Sequence, residues 1–61
     1  LKMFRKNYIR LADAIKDSKL DEINKMMIAK DIAKMLAFNY SNFEKDVFME
    51  HCVPNYKQYK N

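Results

Sequence analysis

LDEINKMMIAKDIAKMLAF, residues 20–38, is the stretch whose reading decides the fold. With successive residues about 100° apart around a helix, Leu20, Ile23, Met26 and Met27 gather on one side. Ile28, Ala29, Ile32, Ala33, Met35 and Leu36 gather on nearly the opposite side. A helix that is apolar all round has to be covered all round, and a chain of 61 residues holds little else to do the covering. The pattern predicts one helix over 20–38, and the change of face around Met27 leaves room for a kink or a split into two shorter helices.

Upstream, Phe4, Tyr8, Leu11, Ala12 and Ile15 fall on the stripe of an amphipathic helix over 4–16. Arg5, Lys6, Arg10, Asp13 and Lys16 take the other side, with Ile9 among them as a hint of a second contact. Asp17-Ser18-Lys19 interrupts the pattern, and Ser18 with Asp21 reads as a capping box in which Asp stands in for the longer Glu or Gln. Asp21 and Glu22 then favour the dipole of the second helix from its first turn. Downstream, Asn39-Tyr40-Ser41-Asn42 is a turn by composition. Glu44 is placed to open a third helix over 45–52 that buries Val47, Phe48 and Cys52, with Phe43 and Phe48 closing a hydrophobic staple. Pro54 stops that helix.

Composition narrows the class. The chain has no glycine and a single proline, and tight hairpins of the favoured types lean on glycine. No stretch alternates with period two, so the fold is read as all-α: a small three-helix domain over 1–53 followed by a flexible basic and aromatic tail over 54–61. One cysteine excludes an internal disulfide, and His51 beside Cys52 cannot supply the four ligands of a closed zinc site. Neither a metal nor any other cofactor is expected. A core this small rarely stands on its own without a disulfide, a metal or oligomerisation, which leaves association as the expected remedy. There is no uninterrupted apolar run near 18 residues for a membrane span, and no compact apolar segment of the secretory type near the start. The lone thiol fits a reducing cytoplasm.

No catalytic constellation is visible. Adjacent helical residues point about 100° apart, so the side chains of His51 and Cys52 do not face one another as a nucleophile and its base must. The residues read as a helix-end histidine and a core-facing cysteine. The five methionines suit adaptable contact surfaces, and Met26-Met27 stands where the apolar face switches. Since the aromatic residues after Phe38 fold the third helix back onto the Ile28/Ile32/Met35/Leu36 side, the Leu20/Ile23/Met27 side is left the more exposed. Leu20, Ile23, Met26 and Met27 are therefore the expected protein interface, with a two-fold homodimer as the expected assembly. The net charge of +4 is mild. Lys2, Arg5, Lys6 and Arg10 along the first helix, with Tyr56, Lys57, Tyr59 and Lys60 in the tail, interleave cations and rings as a single-strand nucleic-acid binder does. Nucleic-acid binding is the alternative reading, although Asp13 and Asp17 share the basic side and Glu22 opposes a phosphate at the second helix.

Arg5-Lys6-Asn7-Tyr8, Leu11-Ala12-Asp13-Ala14-Ile15, and later Leu36-Ala37, Asn39-Tyr40-Ser41-Asn42-Phe43-Glu44 and Phe48-Met49-Glu50-His51-Cys52 together carry a resemblance. The chain resembles a group of short proteins encoded by tailed bacteriophages and prophages. Those read Arg-Lys-Asp-Tyr near the start and Leu-Ala-x-x-Asn-Pro-x-Phe-Asp near the end. It departs from that pattern with Tyr40 in place of Pro, Glu44 in place of Asp, and Val53 where Gly often follows the Cys. The resemblance implies a phage origin and a small helical fold. The expected function is that of a non-enzymatic binding protein in the host bacterial cytoplasm, modulating or inhibiting a host or viral protein through an apolar helical surface.

Overall fold

Three helices and one further helical turn follow one another along the chain: α1 Arg5–Lys16, α2 Glu22–Asn39, α3 Lys45–Cys52 and α4 Tyr56–Tyr59. The computed structural model describes residues 2–59, and among these there is no strand. The expected all-α architecture is present, with α4 as an addition.

α1 buries Tyr8, Ala12 and Ile15, one per turn on a single face. Two members of the predicted stripe do not join them. Phe4 is the N-cap, held in an extended conformation at φ −68° and ψ 139°. It precedes the helix, the helical phase does not apply to its side chain, and its ring is exposed. Leu11 lies at the edge of the stripe and stays exposed. Ile9, from the opposite edge, is half-buried against the core.

The start of α2 corrects the predicted capping box. The Ser18 hydroxyl turns back and donates to the Ile15 carbonyl at 2.7 Å, so it closes α1 rather than opening α2. Lys25 reaches back to donate to the Lys16 carbonyl at the same end. Asp21 is itself the N-cap: its Oδ1 accepts from the Asn24 backbone N–H at 2.8 Å. Such a cap contributes about 0.5–2 kcal/mol.

From there α2 runs unbroken for 18 residues through Met27. No proline or glycine stands in it to break the hydrogen-bond ladder. Its buried side is drawn from the second of the two predicted faces, but the small residues set its centre rather than Ile28 and Met35. Ala29, Ala33 and Leu36 are the buried residues, with Ile32 and Met26 half-buried beside them. Ile28 and Met35, expected beneath the third helix, are exposed. Alanine adds almost nothing to a count of apolar bulk, yet two of them one turn apart let a neighbouring helix come close enough to exclude water.

That neighbour is α3, which packs against both α1 and α2 while those two meet each other less. Flanked on two sides, α3 buries Phe48, Met49 and Cys52, a wider arc than an amphipathic surface helix needs. Val47, expected in the core, is only half-buried, and Met49 takes the deeper place. The helix is bounded as predicted. Glu44 is the N-cap but makes no side-chain cap bond, and the staple rings Phe43 and Phe48 lie 5.5 Å apart at 60°. Tyr8 completes the cluster, edge-on to Phe43 at 5.0 Å and to Phe48 at 6.5 Å. These are the separations at which aromatic pairs add attraction beyond area burial.

After α3 the chain stays with the body. Val53 and Tyr56 belong to the core cluster, with Tyr56 only 6% exposed. The boundary expected after residue 53 therefore does not coincide with the edge of the core. The Cα trace measures 32 × 25 × 15 Å. Helices pack about 8–10 Å apart on backbone cylinders of about 2.3 Å radius, so the short dimension holds two layers of helix and no more. α2 has a covered side and a bare one.

Candidate functional site: the outward face of α2

The bare side of α2 carries Ile23 at 70%, Met27 at 59% and Phe38 at 90% exposure. At 100° per residue these three lie within about 60° of one another, so they form one line along the helix. The exposed side chains of Lys30 and Lys34 fall on the same face, where their hydrocarbon stems add apolar cover and their heads reach water. Met35 and Ile28 extend the exposed apolar surface on one flank.

Toward the N-terminal end of this face lies an open groove of ≈ 200 Å³, lined by Glu22, Ile23, Met26, Met27 and Lys30. Met26, half-buried against the core, forms its floor. Of the four interface candidates named from the sequence, Ile23, Met26 and Met27 therefore meet in one place. Leu20 is exposed in the turn before α2 and does not line the groove. Phe38 and Met35 were not among the candidates. The signal for Phe38 was present: it follows Met27 by three helical turns and returns to nearly the same azimuth.

The basic residues are not gathered in the way the nucleic-acid reading expects. Lys2, Lys6 and Arg10 are exposed. Arg5 leans toward Glu44, Nη1 to Oε1 at 4.0 Å, and Lys57 pairs with Glu50 at 3.5 Å. Tyr56, expected as a stacking ring in a tail, is buried in the core instead, where no base can stack on it. Lys60 and the Tyr59 side chain lie outside the described residues.

A second cluster sits where the N-terminal and loop motifs meet. The Tyr8 hydroxyl donates to Glu44 Oε1 at 3.2 Å. Asn42 clasps the Met3 backbone from both sides, accepting from its N–H at 3.1 Å and donating to its carbonyl at 2.8 Å. These bonds tie the start of the chain to the α2–α3 loop, and the residues act as a fastening of the fold. Cys52 is buried and His51 points outward to Asp13, Nδ1 to Oδ1 at 3.8 Å. Among the described residues no group of three or more His, Cys, Asp or Glu side chains is arranged to hold a metal.

Burial, with the Asp13 carboxylate adding to it, pushes the Cys52 thiol up to about 12 from 9.0. Burial and the hydrogen bond to Glu44 likewise raise Tyr8 above 10.0. Both groups hold their protons more tightly in the folded chain than in the unfolded one. Their contribution to stability is complete below pH 9 and is lost as pH rises toward 12. Urea midpoints measured by circular dichroism should accordingly hold level from neutrality to pH 9 and fall steeply above it. Cys52→Ala, less stable at neutral pH, should lose a smaller share of its midpoint over the alkaline range. An equal alkaline fall in both removes Cys52 from the explanation.

Among the described residues, no helix is long and apolar enough to cross a membrane. No family model, no curated protein and no solved structure matches the chain.

Proposed function

We propose that this chain is a small protein-binding module, without catalytic activity or cofactor, whose contact surface is the outward face of α2. The observation that carries the reading is the bare line Ile23, Met27 and Phe38 on the longest helix. Single apolar residues on a surface are ordinary, but three large ones in line along one helix, with the hydrocarbon stems of Lys30 and Lys34 between them, make a surface suited to association. Methionine at Met26, Met27 and Met35 suits such a surface, since a flexible thioether adapts to its partner. The resemblance of the Arg5-to-Tyr8 and Asn39-to-Glu44 motifs to short phage proteins supports a phage origin, with a protein of the host bacterial cytoplasm, or a viral one, as the target that is modulated or inhibited. The convergence of those two motifs on the Tyr8–Glu44 and Asn42–Met3 bonds explains them as a fold signature, and so leaves the α2 face as the surface for binding.

The test is affinity capture from bacterial lysate with photo-crosslinking from position 34 on α2, followed by titration of the purified partner. Wild-type protein should retain one partner at high salt, and Phe38→Asp should weaken it at least about tenfold while the circular dichroism spectrum is kept. Crosslinks confined to α1, or retention of nucleic acid whose binding falls steeply with salt, overturn the reading.

A further inference from the structure

We infer that Met27 and Met35 form a reversible oxidation site, at which a hydroperoxide turns the outward face of α2 from apolar to polar while the fold is kept. What the change regulates rests on that face being the contact surface of the protein.

The sulfur atoms of the five methionines and of Cys52 all lie among the described residues, in three kinds of surroundings. Met49 and Cys52 are fully buried in α3. Met3 and Met26 are half-buried against the core. Met27, at 59% exposure, and Met35, at 54%, are open to water, and both stand on the bare side of α2. Cysteine is ordinarily the faster target of an oxidant, but it reacts as the thiolate. Cys52 is enclosed, and burial pushes its thiol up to about 12, so at neutral pH it keeps its proton and does not compete. A thioether has no proton to lose, and access alone separates one methionine from another. Access therefore directs the oxidant to the contact face and away from the core.

In the step itself a lone pair of the methionine sulfur attacks one oxygen of the hydroperoxide. The S–O bond forms as the O–O bond breaks. Sulfur gives up two electrons, and the departing oxygen takes them with the proton of the transferred oxygen and leaves as water or an alcohol. A thiol-dependent methionine sulfoxide reductase reverses the change, removing the oxygen as water and leaving a disulfide on the reductase.

The consequence follows from position. Met27 stands between Ile23 and Phe38 in the bare line. Its sulfoxide sets a strong acceptor where an apolar partner offers no donor, and a polar group buried without a hydrogen bond opposes binding. Neither Met27 nor Met35 belongs to the core cluster, so the same oxygen atoms leave the packing of α1, α2 and α3 as it was. Met49, whose oxidation would put an oxygen into that packing, is the one held out of reach.

The test treats the full chain with hydrogen peroxide at neutral pH and follows each methionine by peptide mass mapping. Met27 and Met35 should convert at least about tenfold faster than Met49, whose reaction waits on opening of the core. The doubly oxidised protein should keep its circular dichroism spectrum, leave a phenyl hydrophobic-interaction column earlier than the untreated one, and return to the original retention after sulfoxide reductase treatment. Met27→Leu combined with Met35→Leu, a volume-conserving change, should show no shift of retention with peroxide. Met49 reacting as fast as Met27, unfolding on oxidation of Met27 and Met35, or an unchanged retention overturns the inference. A partner captured on the α2 face should bind the oxidised chain at least about tenfold more weakly. Equal binding overturns the regulatory role and leaves the binding function intact. Mass and column readouts as expected, with no partner captured, sink the binding function and leave the oxidation site standing.

Discussion

Phe48→Ala should remove about 3–5 kcal/mol of stability and leave the chain largely unfolded at 25 °C. Phe48 is fully buried and touches both Phe43 and Tyr8 edge-on. It belongs to α3, the element that both other long helices use as their common neighbour. Truncating it removes transfer free energy and opens a cavity beside the Tyr8 and Phe43 rings. A domain of this size holds roughly 3–9 kcal/mol at about 0.05–0.15 kcal/mol per residue, so the loss is comparable to the total. Urea denaturation followed by far-ultraviolet circular dichroism measures it. Phe4→Ala is the control: that ring is exposed, and its removal should change stability by less than about 0.5 kcal/mol. A loss below about 1 kcal/mol at Phe48, or equal losses at the two sites, contradicts the central place given to α3.

The two phenylalanines also mark what a sequence can and cannot disclose. The staple was legible because Phe43, Glu44 and Phe48 hold a fixed spacing around a helix start, and a local rule of spacing survives in any tertiary setting. The bounds of α3 were read for the same reason. Phe4 was misread because periodicity was extended one residue past the cap, where the backbone is extended and the side chain is no longer in phase. Ser18 was misread because its hydroxyl had two local carbonyl and amide partners to choose from, and it took the one behind it. Tyr56 was given to a tail because Pro54 ends α3; a proline ends a helix without ending the packing, and Val53 and Tyr56 stay in the core.

The binding face was partly legible and for an incomplete reason. Counting large side chains around α2 found two apolar faces and correctly implied that a chain this small covers only one side of the helix. It also found which side, but misplaced the centre of the covered stripe, which is built on Ala29 and Ala33 while Ile28 and Met35 stay exposed. Close approach of backbones, not apolar bulk, selected that stripe. The consequence is a broader bare surface than the four candidates suggested, reaching from Ile23 to Phe38.

Ala33→Leu should therefore be the second most damaging change, at about 1–3 kcal/mol or more, although it makes the helix more apolar and leaves helix propensity nearly unchanged. Ala33 is fully buried where α3 crosses α2. Three added carbons have no void to enter, so either the two helices separate or neighbouring side chains leave their preferred rotamers. The same substitution one turn along, Ala37→Leu, is the control, because Ala37 is exposed and its stability should stay within about 0.5 kcal/mol of wild type. Ile28→Ala sharpens the contrast. If α3 rested on the Ile28/Met35 side, truncating Ile28 would open a cavity and cost about 2–5 kcal/mol; with that side bare, the loss should stay near or below about 1 kcal/mol, in keeping with a partly exposed side chain. Thermal or urea midpoints of the three variants order the faces of α2 directly. Tolerance at Ala33 combined with collapse at Ile28 would return the covered side to the large residues and put the groove at Ile23 on the edge of a different helix pair.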